Sequence, residues 1–251
     1  MKEAHLLCQS EDIAENVLLP GDPERVLRVA AELSGVREIA FNREFRTITG
    51  EYQGMPVTVT STGIGGCSMG IAFEELYNCG AKNLIRIGSC GALQPELKLG
   101  ELVIASAAVR EDGLSSTYVK KEYPAVSDFE LSSCLKNRAE ALGFEFSLGI
   151  CRSHESFYID HNQEVIDYWK GKNVLASDME TAALFTLANL RGLRAASILN
   201  VVVNESQDSS AGINNYVEQD EIMMEGESRE IKLALESLLY WQELQGNNLS
   251  K

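Results

Sequence analysis

The most informative part of the chain is Val17-Leu18-Leu19-Pro20-Gly21-Asp22-Pro23-Glu24-Arg25, an apolar run that ends in a glycine turn before a helix begins. We predict that Asp22 is the N-cap and Pro23 the first helical residue, where the missing proline N–H costs nothing. Arg25 is unexpected there, because the positive end of a helix dipole disfavours a cation. Backbone N–H groups that converge with a guanidinium at a helix start are typical of an anion site. The alternative is an exposed arginine on a surface helix.

Length and composition favour one large α/β domain. The chain has 251 residues, of which 45% are hydrophobic and 24% charged, as in ordinary soluble globular proteins. Its net charge of −15 argues against binding to nucleic acid or to anionic membrane surfaces, which attract basic proteins. No apolar run is long enough to cross a bilayer, and the polar start of the chain shows no signal peptide. We predict a single domain over residues 1–251, with 245–251 as a frayed tail.

The six cysteines are scattered and include no Cys-x-x-Cys pair, so the sequence indicates neither a zinc site nor a disulfide framework. Reduced thiols and a cytoplasmic location are therefore expected. Cys90 lies close to Arg86, which leaves an activated thiol as an alternative catalytic group. The three histidines show no spacing of metal ligands, and no Gly-x-Ser-x-Gly elbow offers a serine nucleophile.

Strand and helix patterns alternate along the chain, which predicts an α/β domain with a parallel or mixed sheet and helices on both faces. The predicted strands after the first turn are 36–41, 44–50, 55–62, 82–88, 101–109, 146–152, 173–176 and 195–203. The predicted helices follow residues 22 and 63–66, cover 128–142, 162–169 and 177–190, and include a last helix over 218–244. We expect 110–127 to be a loop and 206–215 to be mobile.

In such folds, ligands bind beyond the carboxyl ends of the strands, and 63–66 is one candidate there. The pattern Gly63-x-Gly65-x-x-Ser68 is close to a dinucleotide fingerprint, but its third position is serine. No acid follows about twenty residues later to hold a ribose. We therefore expect these glycines to let two backbone segments approach closely at a helix start, and we do not expect a Rossmann dinucleotide site.

A second candidate is Arg86-Ile87-Gly88-Ser89-Cys90-Gly91, at the end of a predicted buried strand. It combines a guanidinium, a hydroxyl and N–H groups flanked by glycine, which suits a phosphate group. A buried guanidinium also needs a partner, because an unpaired charge there is very costly. A structural salt bridge between Arg86 and one of the 37 acidic residues is the alternative.

A third candidate is Ser177-Asp178-Met179-Glu180. Its pattern fits a capping box, with Ser177 as N-cap and Glu180 at the third helical position. Met179 then belongs to the core. In the functional interpretation, Glu180 accepts hydrogen bonds from the paired hydroxyls of a sugar.

Taken together, these segments resemble the nucleoside phosphorylase superfamily, which includes hexameric purine nucleoside phosphorylase and bacterial uridine phosphorylase. The resemblance extends over most of the chain and keeps the family's order of motifs. The motifs are Leu19-Pro20-Gly21-Asp22-Pro23-x-Arg25, Arg86-Ile87-Gly88-Ser89-Cys90-Gly91, Phe157-Tyr158 and Asp178-Met179-Glu180. It implies a single three-layer α/β/α domain with a mixed, partly barrel-like central sheet.

The resemblance also implies roles for individual residues. The phosphate ligands it implies are Gly21, Arg25, Arg86 and Ser89, with Arg43 donated by a neighbouring subunit. The nucleoside contacts it implies are Met179 and Glu180 for the ribose, Phe157 for the base and the neighbour's His5 for the 5′-hydroxyl. An active site shared in this way requires a homo-oligomer, in this family usually a dimer-based hexamer.

Several stretches favour the uridine branch of the family. They are Asn42-Arg43-Glu44-Phe45, Ser61-Thr62-Gly63-Ile64-Gly65-Gly66, Glu122-Tyr123-Pro124-Ala125-Val126-Ser127-Asp128-Phe129-Glu130 and Val201-Val202-Val203-Asn204. Uridine phosphorylases can hold a structural potassium ion between subunits, and Glu44, Ile64 and Ser68 match its ligands. The resemblance implies no other cofactor, since phosphate is a co-substrate.

The chain also departs from the family pattern. The acid before Met-Glu is usually glutamate, and here it is the shorter Asp178. The segment after Tyr158 is short, as in the purine branch, so that only Gln163, with His161, could replace the Gln and Arg that read uracil.

Asn204 is the residue that we expect to decide the base. Hexameric purine enzymes usually place an aspartic acid there, which protonates purine N7, an effect typically worth about 10²–10⁴-fold. An amide cannot deliver a proton, whereas a uracil anion spreads its charge over two carbonyls and needs no acid. Asn204 therefore favours uridine or a 6-oxopurine nucleoside over adenosine. A polar residue that caps the strand end is the alternative.

We therefore expect a pentosyltransferase of nucleoside catabolism and pyrimidine salvage, which converts uridine and phosphate to uracil and ribose 1-phosphate. Arg86, Glu180 and Asn204 are its expected catalytic residues. The alternatives are a phosphorylase of inosine and guanosine, a nucleosidase, and a non-catalytic nucleoside-binding protein. The three predicted phosphate arginines argue against the last two.

Overall fold

One mixed sheet of ten strands runs through the computed structural model, which describes residues 2–204 and 221–249. Apolar and β-branched residues dominate the central strands, as expected for strands buried on both faces. The strands are β1 (Asn16–Pro20), β2 (Ser34–Asn42), β3 (Phe45–Tyr52), β4 (Met55–Thr60), β5 (Asn83–Ala92), β6 (Leu102–Glu111), β7 (Ala125–Val126), β8 (Phe146–His154), β9 (Ala176–Asp178) and β10 (Arg194–Val203).

The described residues form seven α-helices. They are α1 (Pro23–Ala30), α2 (Gly66–Asn78), α3 (Ser115–Tyr118), α4 (Phe129–Leu142), α5 (Asn162–Lys170), α6 (Thr181–Arg191) and α7 (Glu221–Leu249). A 3₁₀ turn over Ser10–Asp12 precedes them. No helix in the described ranges combines the length and the apolar character needed to cross a membrane.

The sheet is partly closed into a barrel. Strand β5 pairs in parallel with both β1 and β10, and it also pairs antiparallel with β9. The order β5-β9-β8-β6-β10 returns to β5, which closes five strands into a ring. From β5 the sheet continues through β1, β4, β3 and β2 as an open extension. The predicted mixed, partly barrel-like sheet is confirmed.

Two apolar cores lie on opposite faces of the sheet, and β1 contributes to both because successive side chains alternate between faces. Val17 and Leu19 belong to the core with α2 and α6, whose Phe73 and Phe185 are fully buried. Leu18 belongs to the other core, with residues of α1, α4 and α7. The three layers of the predicted α/β/α arrangement follow directly from this alternation.

The first turn is built as predicted. The Asp22 carboxylate accepts the N–H of Glu24 at 2.9 Å, and Pro23 is the first residue of α1. Asp128 likewise caps α4 by accepting the N–H of Leu131 at 2.8 Å. Both caps satisfy N–H groups that a helix start leaves without partners.

Two predicted boundaries near the strand ends are wrong, and both errors concern the site. The strand predicted over 82–88 continues to Ala92, so the motif from Arg86 to Gly91 lies within β5. The helix predicted to begin at Ser177 begins at Thr181 instead. Ser177 pairs with Gly91 across β5 and β9, and β9 continues to Asp178, so the residues after Ser177 do not form the first helical turn that a capping box needs.

Other departures are smaller. The strand predicted over 173–176 is displaced to β9, because Asn173 has a left-handed φ of 59°. The segment 110–127, predicted as a loop, contains α3 and β7. The last helix extends to Leu249, into the segment predicted to be frayed. The start predicted for this helix at 218 and the mobile segment predicted over 206–215 lie outside the described residues.

Candidate active site

The candidate site lies where three neighbouring parallel strands end. Because β1, β5 and β10 are parallel and adjacent, their carboxyl ends share one edge of the sheet. Gly21 follows β1, Ser89 lies near the end of β5, and Asn204 follows β10. The register places Val203 opposite Gly91, so Asn204 is next to the end of the β5 motif.

Arg25 is buried, with 2% of its surface exposed, so the alternative of an exposed arginine is wrong. Its Nη2 donates to the Ser89 hydroxyl at 3.0 Å, and its Nη1 donates to the Ile87 carbonyl at 2.9 Å. Its Nε donates to Oε2 of Glu227, on α7, at 2.9 Å. The structure thus brings together Arg25 and Ser89, two of the predicted phosphate ligands.

The two glycine turns of the site stack on each other. The N–H of Gly63 donates to the carbonyl of Gly21 at 3.0 Å, which joins the turn after β1 to the turn before α2. Gly63 has a φ of 68°, and a Cβ there would lie 2.6 Å from Cγ of Glu44. Only glycine therefore fits this approach without displacing its neighbours, as the sequence predicted for 63–66.

Arg86 lies between two carboxylates in the barrel wall. Its Nε donates to Oδ2 of Asp178 at 2.9 Å, and its Nη2 lies 2.6 Å from Oε2 of Glu180. Burial would lower the pKa of Arg86, but the charges of Glu180 and Asp178 outweigh it and raise the pKa, so Arg86 stays ionised. A Cβ on Gly88 would lie 2.5 Å from Cζ of Arg86, which explains the glycine beneath the guanidinium.

One nitrogen of this guanidinium is left over. Nη1 of Arg86 is buried and has no hydrogen-bond partner among the described residues. The pairing with Asp178 and Glu180 uses Nε and Nη2 and leaves the N–H donors of Nη1 for a further partner. The alternative of a purely structural role for Arg86 therefore accounts for only part of the geometry.

Asp178 and Glu180 have different tasks although both face Arg86. Asp178 accepts the hydroxyl of Ser153 at 2.5 Å and both the N–H and the hydroxyl of Thr181, at 3.0 Å and 2.6 Å. Its oxygens are therefore used in holding the start of α6 against Arg86. The shorter aspartate, a departure from the family pattern, still reaches the guanidinium.

Glu180 is buried at the start of α6, and its Oε1 accepts the N–H of Gly65 at 2.5 Å. Burial raises the pKa of Glu180, and the neighbouring charge of Asp178 raises it further, while Arg86 opposes both effects. The backbone N–H groups of Gly65 and Met179 and the guanidinium of Arg86 contact its carboxylate, whose two oxygens have about four lone-pair sites, so one remains for a ligand. Half-buried Met179 separates the two acids.

The residues predicted to act across a subunit boundary lie near Glu44, which borders the glycine turn of the site at Gly63. Nδ1 of His5 lies 2.6 Å from Oε1 of Glu75, and Arg43 is exposed at the turn between β2 and β3 with a φ of 57°. Glu44 accepts the hydroxyl of Ser68 at 2.7 Å. This hydrogen bond and the nearby charges of Arg43 and His5 lower the pKa of Glu44.

The residues predicted to contact the base lie on less enclosed segments. Phe157 is half-buried and packs edge to face on Tyr158, with ring centroids 4.9 Å apart. Gln163 is exposed on α5, and its amide donates to Asp167 of the same helix at 3.0 Å. The role of Gln163 toward the base stays a prediction.

Cys90 is not an activated thiol. Its side chain is buried, and this burial raises its pKa well above the ordinary value, so it carries its proton at neutral pH. The alternative of a cysteine nucleophile is wrong. Within 2–204 and 221–249, no group of three or more His, Cys, Asp or Glu side chains could hold a metal ion.

Two further residues of the site escaped the sequence predictions. Glu227 and Glu230 of α7 are fully or almost fully buried, and the N–H of Gly88 donates to Oε1 of Glu230 at 2.5 Å. A signal was present, because Met223, Glu227, Glu230 and Ala234 have the spacing of one helix face. Acids within an otherwise apolar face indicate buried partners.

Comparison with known proteins agrees with this geometry. A family model described as the Phosphorylase superfamily matches residues 16–239. The uridine phosphorylase of Thermococcus kodakarensis is 46% identical over 212 residues, which are 80% of this chain and 76% of that protein. The guanosine phosphorylase of Halorubrum lacusprofundi is 37% identical over 237 residues, which are 94% of this chain and 98% of that protein.

A solved structure gives the same result. The crystal structure of uridine phosphorylase from Vibrio fischeri ES114, complexed with 6-hydroxy-1-naphthoic acid, matches with a TM-score of 0.90. The two sequences are 41% identical, and the match covers 95% of this chain and 97% of that one. The resemblance to the nucleoside phosphorylases is confirmed, and the chain belongs to the phosphorylase superfamily.

Proposed function

We propose that this chain is a uridine phosphorylase, a pentosyltransferase that converts uridine and phosphate to uracil and ribose 1-phosphate. The observation that carries the proposal is the arrangement of Arg86, whose guanidinium is fixed by Asp178 and Glu180 and keeps one buried donor. Such a donor suits an anion that is held beside a sugar. The uridine phosphorylases among the chain's relatives support the choice of nucleoside.

Phosphate is the nucleophile of the proposed reaction. One of its oxygens forms a bond to C1′ of the ribose while the bond from C1′ to N1 of uracil breaks, and the uracil leaves with the electron pair. The sugar passes through an oxocarbenium-like state, so the protein acts by positioning and electrostatics. Gly21, Arg25, Arg86 and Ser89 are the proposed phosphate ligands within the chain.

Glu180 is the proposed ribose ligand, with Met179 beside it. Its carboxylate accepts hydrogen bonds from the 2′- and 3′-hydroxyls, which fixes C1′ in front of the phosphate. The negative charge also lies close to the sugar that becomes cationic in the transition state. Phe157 packs on the base, and Gln163 with His161 is proposed to read it.

Asn204 is the proposed contact to the leaving base. Its amide donates a hydrogen bond but no proton, which suits the delocalised uracil anion. The same amide would serve a 6-oxopurine, and the guanosine phosphorylase relative favours that class as the second candidate. The phosphate arginines disfavour a nucleosidase, which would need no phosphate site.

The chain is expected to release uracil from uridine only when phosphate is present. Uridine and inosine would each be incubated with and without phosphate, and release of free base would be followed by chromatography. Faster turnover of inosine would move the assignment to the second candidate. Base release at the same rate without phosphate would exclude a phosphorylase altogether.

We also infer that each active site is shared between two subunits of a dimer-based hexamer. Arg43 and His5 would reach the neighbour's phosphate and 5′-hydroxyl, which agrees with the exposed position of Arg43 on its hairpin. Glu44, Ile64 and Ser68 are the proposed ligands of a structural potassium ion, and the Ser68 hydroxyl already lies beside the Glu44 carboxylate. A cytoplasmic role in pyrimidine salvage fits this activity.

A subunit mixture tests the shared site. Arg43→Ala and Arg86→Ala are each expected to be inactive alone, whereas co-expressed chains should recover roughly a quarter of the activity. Half of randomly mixed dimers contain both chains, and each of these has one intact site out of two. In the control, Arg25→Ala mixed with Arg86→Ala should recover nothing, because both arginines belong to the same half of the site. Equal recovery of activity in both mixtures would contradict an active site shared between subunits.

A further inference from the structure

Glu230 is a buried carboxyl group at the centre of the proposed phosphate site. It lies on α7 with no exposed surface, and its Oε1 accepts the N–H of Gly88 at 2.5 Å. Its Oε2 lies 3.5 Å from Nη1 of Arg25, too far for a hydrogen bond, and has no hydrogen-bond partner among the described residues. One oxygen of Glu230 is thus fixed, and the other faces a proposed phosphate ligand.

The groups around Glu230 come from three elements. Arg25 faces it from α1, Arg86 and the neutral thiol of Cys90 from β5, and Glu227 from its own helix. The pKa of Glu230 is raised to about 8, mainly by burial and also by the charge of Glu227, while Arg25, the Gly88 N–H and Arg86 oppose the rise. At pH 7 the group is therefore mostly protonated, with the proton on Oε2, because Oε1 accepts an N–H.

Arg25 already has one acidic partner. Its Nε donates to Glu227, which also accepts hydrogen bonds from Arg28. Asp22 also pairs with Arg28, at 3.0 Å, so Glu227 and Asp22 already balance the charges of Arg25 and Arg28. A further negative charge on Glu230 would make this cluster net negative and would pair with the same Arg25 nitrogen that faces Oε2.

We propose that Glu230 sets the affinity for phosphate through its own charge. In the protonated form it leaves Arg25 to the phosphate, and in the ionised form it pairs with Arg25 and repels the phosphate dianion. Glu230 is a positioning residue, since it acts through Arg25. This inference rests on the proposed phosphate site. Above about pH 8, Glu230 would have to take up one proton when phosphate binds.

The test compares the whole protein with Glu230→Gln, whose amide oxygen can still accept the N–H of Gly88. The KM for phosphate, measured from pH 6.5 to 9.5, is expected to rise about tenfold between pH 7 and 9 in the unmodified protein. This rise should be absent in Glu230→Gln, with little change in kcat. Subtracting the two profiles removes the titration of phosphate itself. Glu225→Gln, an exposed acid on the same helix, is the matched control and should keep the rise.

A second measurement does not depend on turnover. Calorimetric titration with phosphate at pH 8.5, in two buffers of different ionisation enthalpy, should show uptake of about three quarters of a proton that Glu230→Gln abolishes. If Glu230→Gln does not fold, Glu230→Ala replaces it in both measurements. Equal pH profiles and equal proton uptake in variant and unmodified protein would overturn the inference alone. Uracil release that needs no phosphate would overturn the proposed function as well.

Discussion

Arg86→Ala is expected to lower the kcat/KM for phosphate-dependent uracil release by about 10²–10³-fold, the usual effect of removing a preorganised donor from a developing charge. Arg86 is fixed between Asp178 and Glu180 before any ligand binds, so it needs no reorganisation. Phosphate would lose its buried donor, and Glu180 would lose the partner that orients it toward the ribose. Initial rates over a matrix of uridine and phosphate concentrations measure the loss.

The control must separate catalysis from folding. Removal of one partner from a buried charge cluster typically costs about 3–5 kcal/mol, so thermal unfolding of Arg86→Ala would be followed in parallel. Arg86→Lys keeps the positive charge, but an ammonium group lacks the planar fork that contacts both carboxylates and a ligand. Its phosphate-dependent activity should therefore also be impaired. Arg191→Ala removes a more exposed arginine that pairs with Glu74 and should be near normal. A folded Arg86→Ala with ordinary phosphate dependence would refute the assignment.

Glu180→Gln is expected to lower kcat/KM for uridine by about 10–10²-fold, because each hydrogen bond to a charged group contributes about 1.5–3 kcal/mol. The carboxylate accepts from Gly65 and faces Arg86, in addition to the proposed ribose hydroxyls. An amide has a single acceptor oxygen, so one of these buried donors would meet an NH₂ group instead. The sugar contacts and the orientation of Arg86 would weaken together.

The comparison of two substrates makes this prediction specific to the sugar. With 2′-deoxyuridine, which lacks one of the two hydroxyls, Glu180→Gln should cost less than with uridine. Glu164→Gln, an exposed acid on α5, serves as the control and should affect neither substrate. An identical loss on both substrates would show that Glu180 does not contact the 2′-hydroxyl.

Local patterns predicted the parts of the fold whose causes are local. The Asp22 cap, the proline that follows it and the Asp128 cap depend on a few neighbouring residues and are confirmed. The helix start predicted at Ser177 was wrong for the opposite reason. Ser177 pairs with Gly91 of a distant strand, and this pairing outweighs a good capping pattern. The extension of β5 to Ala92 has a similar origin, because β10 and β9 supply partners that no local window contains.

The residues of the candidate site also divide into those that local patterns predicted and those that they could not predict. Arg25 and Ser89 were predicted from two separate motifs, and their contact depends on the parallel pairing of β1 and β5. The carboxyl groups of α7 could not be assigned to the site, because Glu227 is 202 residues from Arg25 in the sequence. Periodicity could indicate that Glu227 and Glu230 are buried, but not which side chains they contact.

The separation of Arg25 from Glu227 also bears on how the protein is made. Ile87 and Ser89, the partners of Arg25 on β5, are synthesised well before α7, which carries both Glu227 and Glu230. Until α7 follows, Arg25 lacks both its carboxylates, and domains generally fold as units. The proposed anion-binding half of the site is therefore completed only after α7 has been synthesised, and we expect phosphate binding to distinguish a chain with α7 in place from one without it.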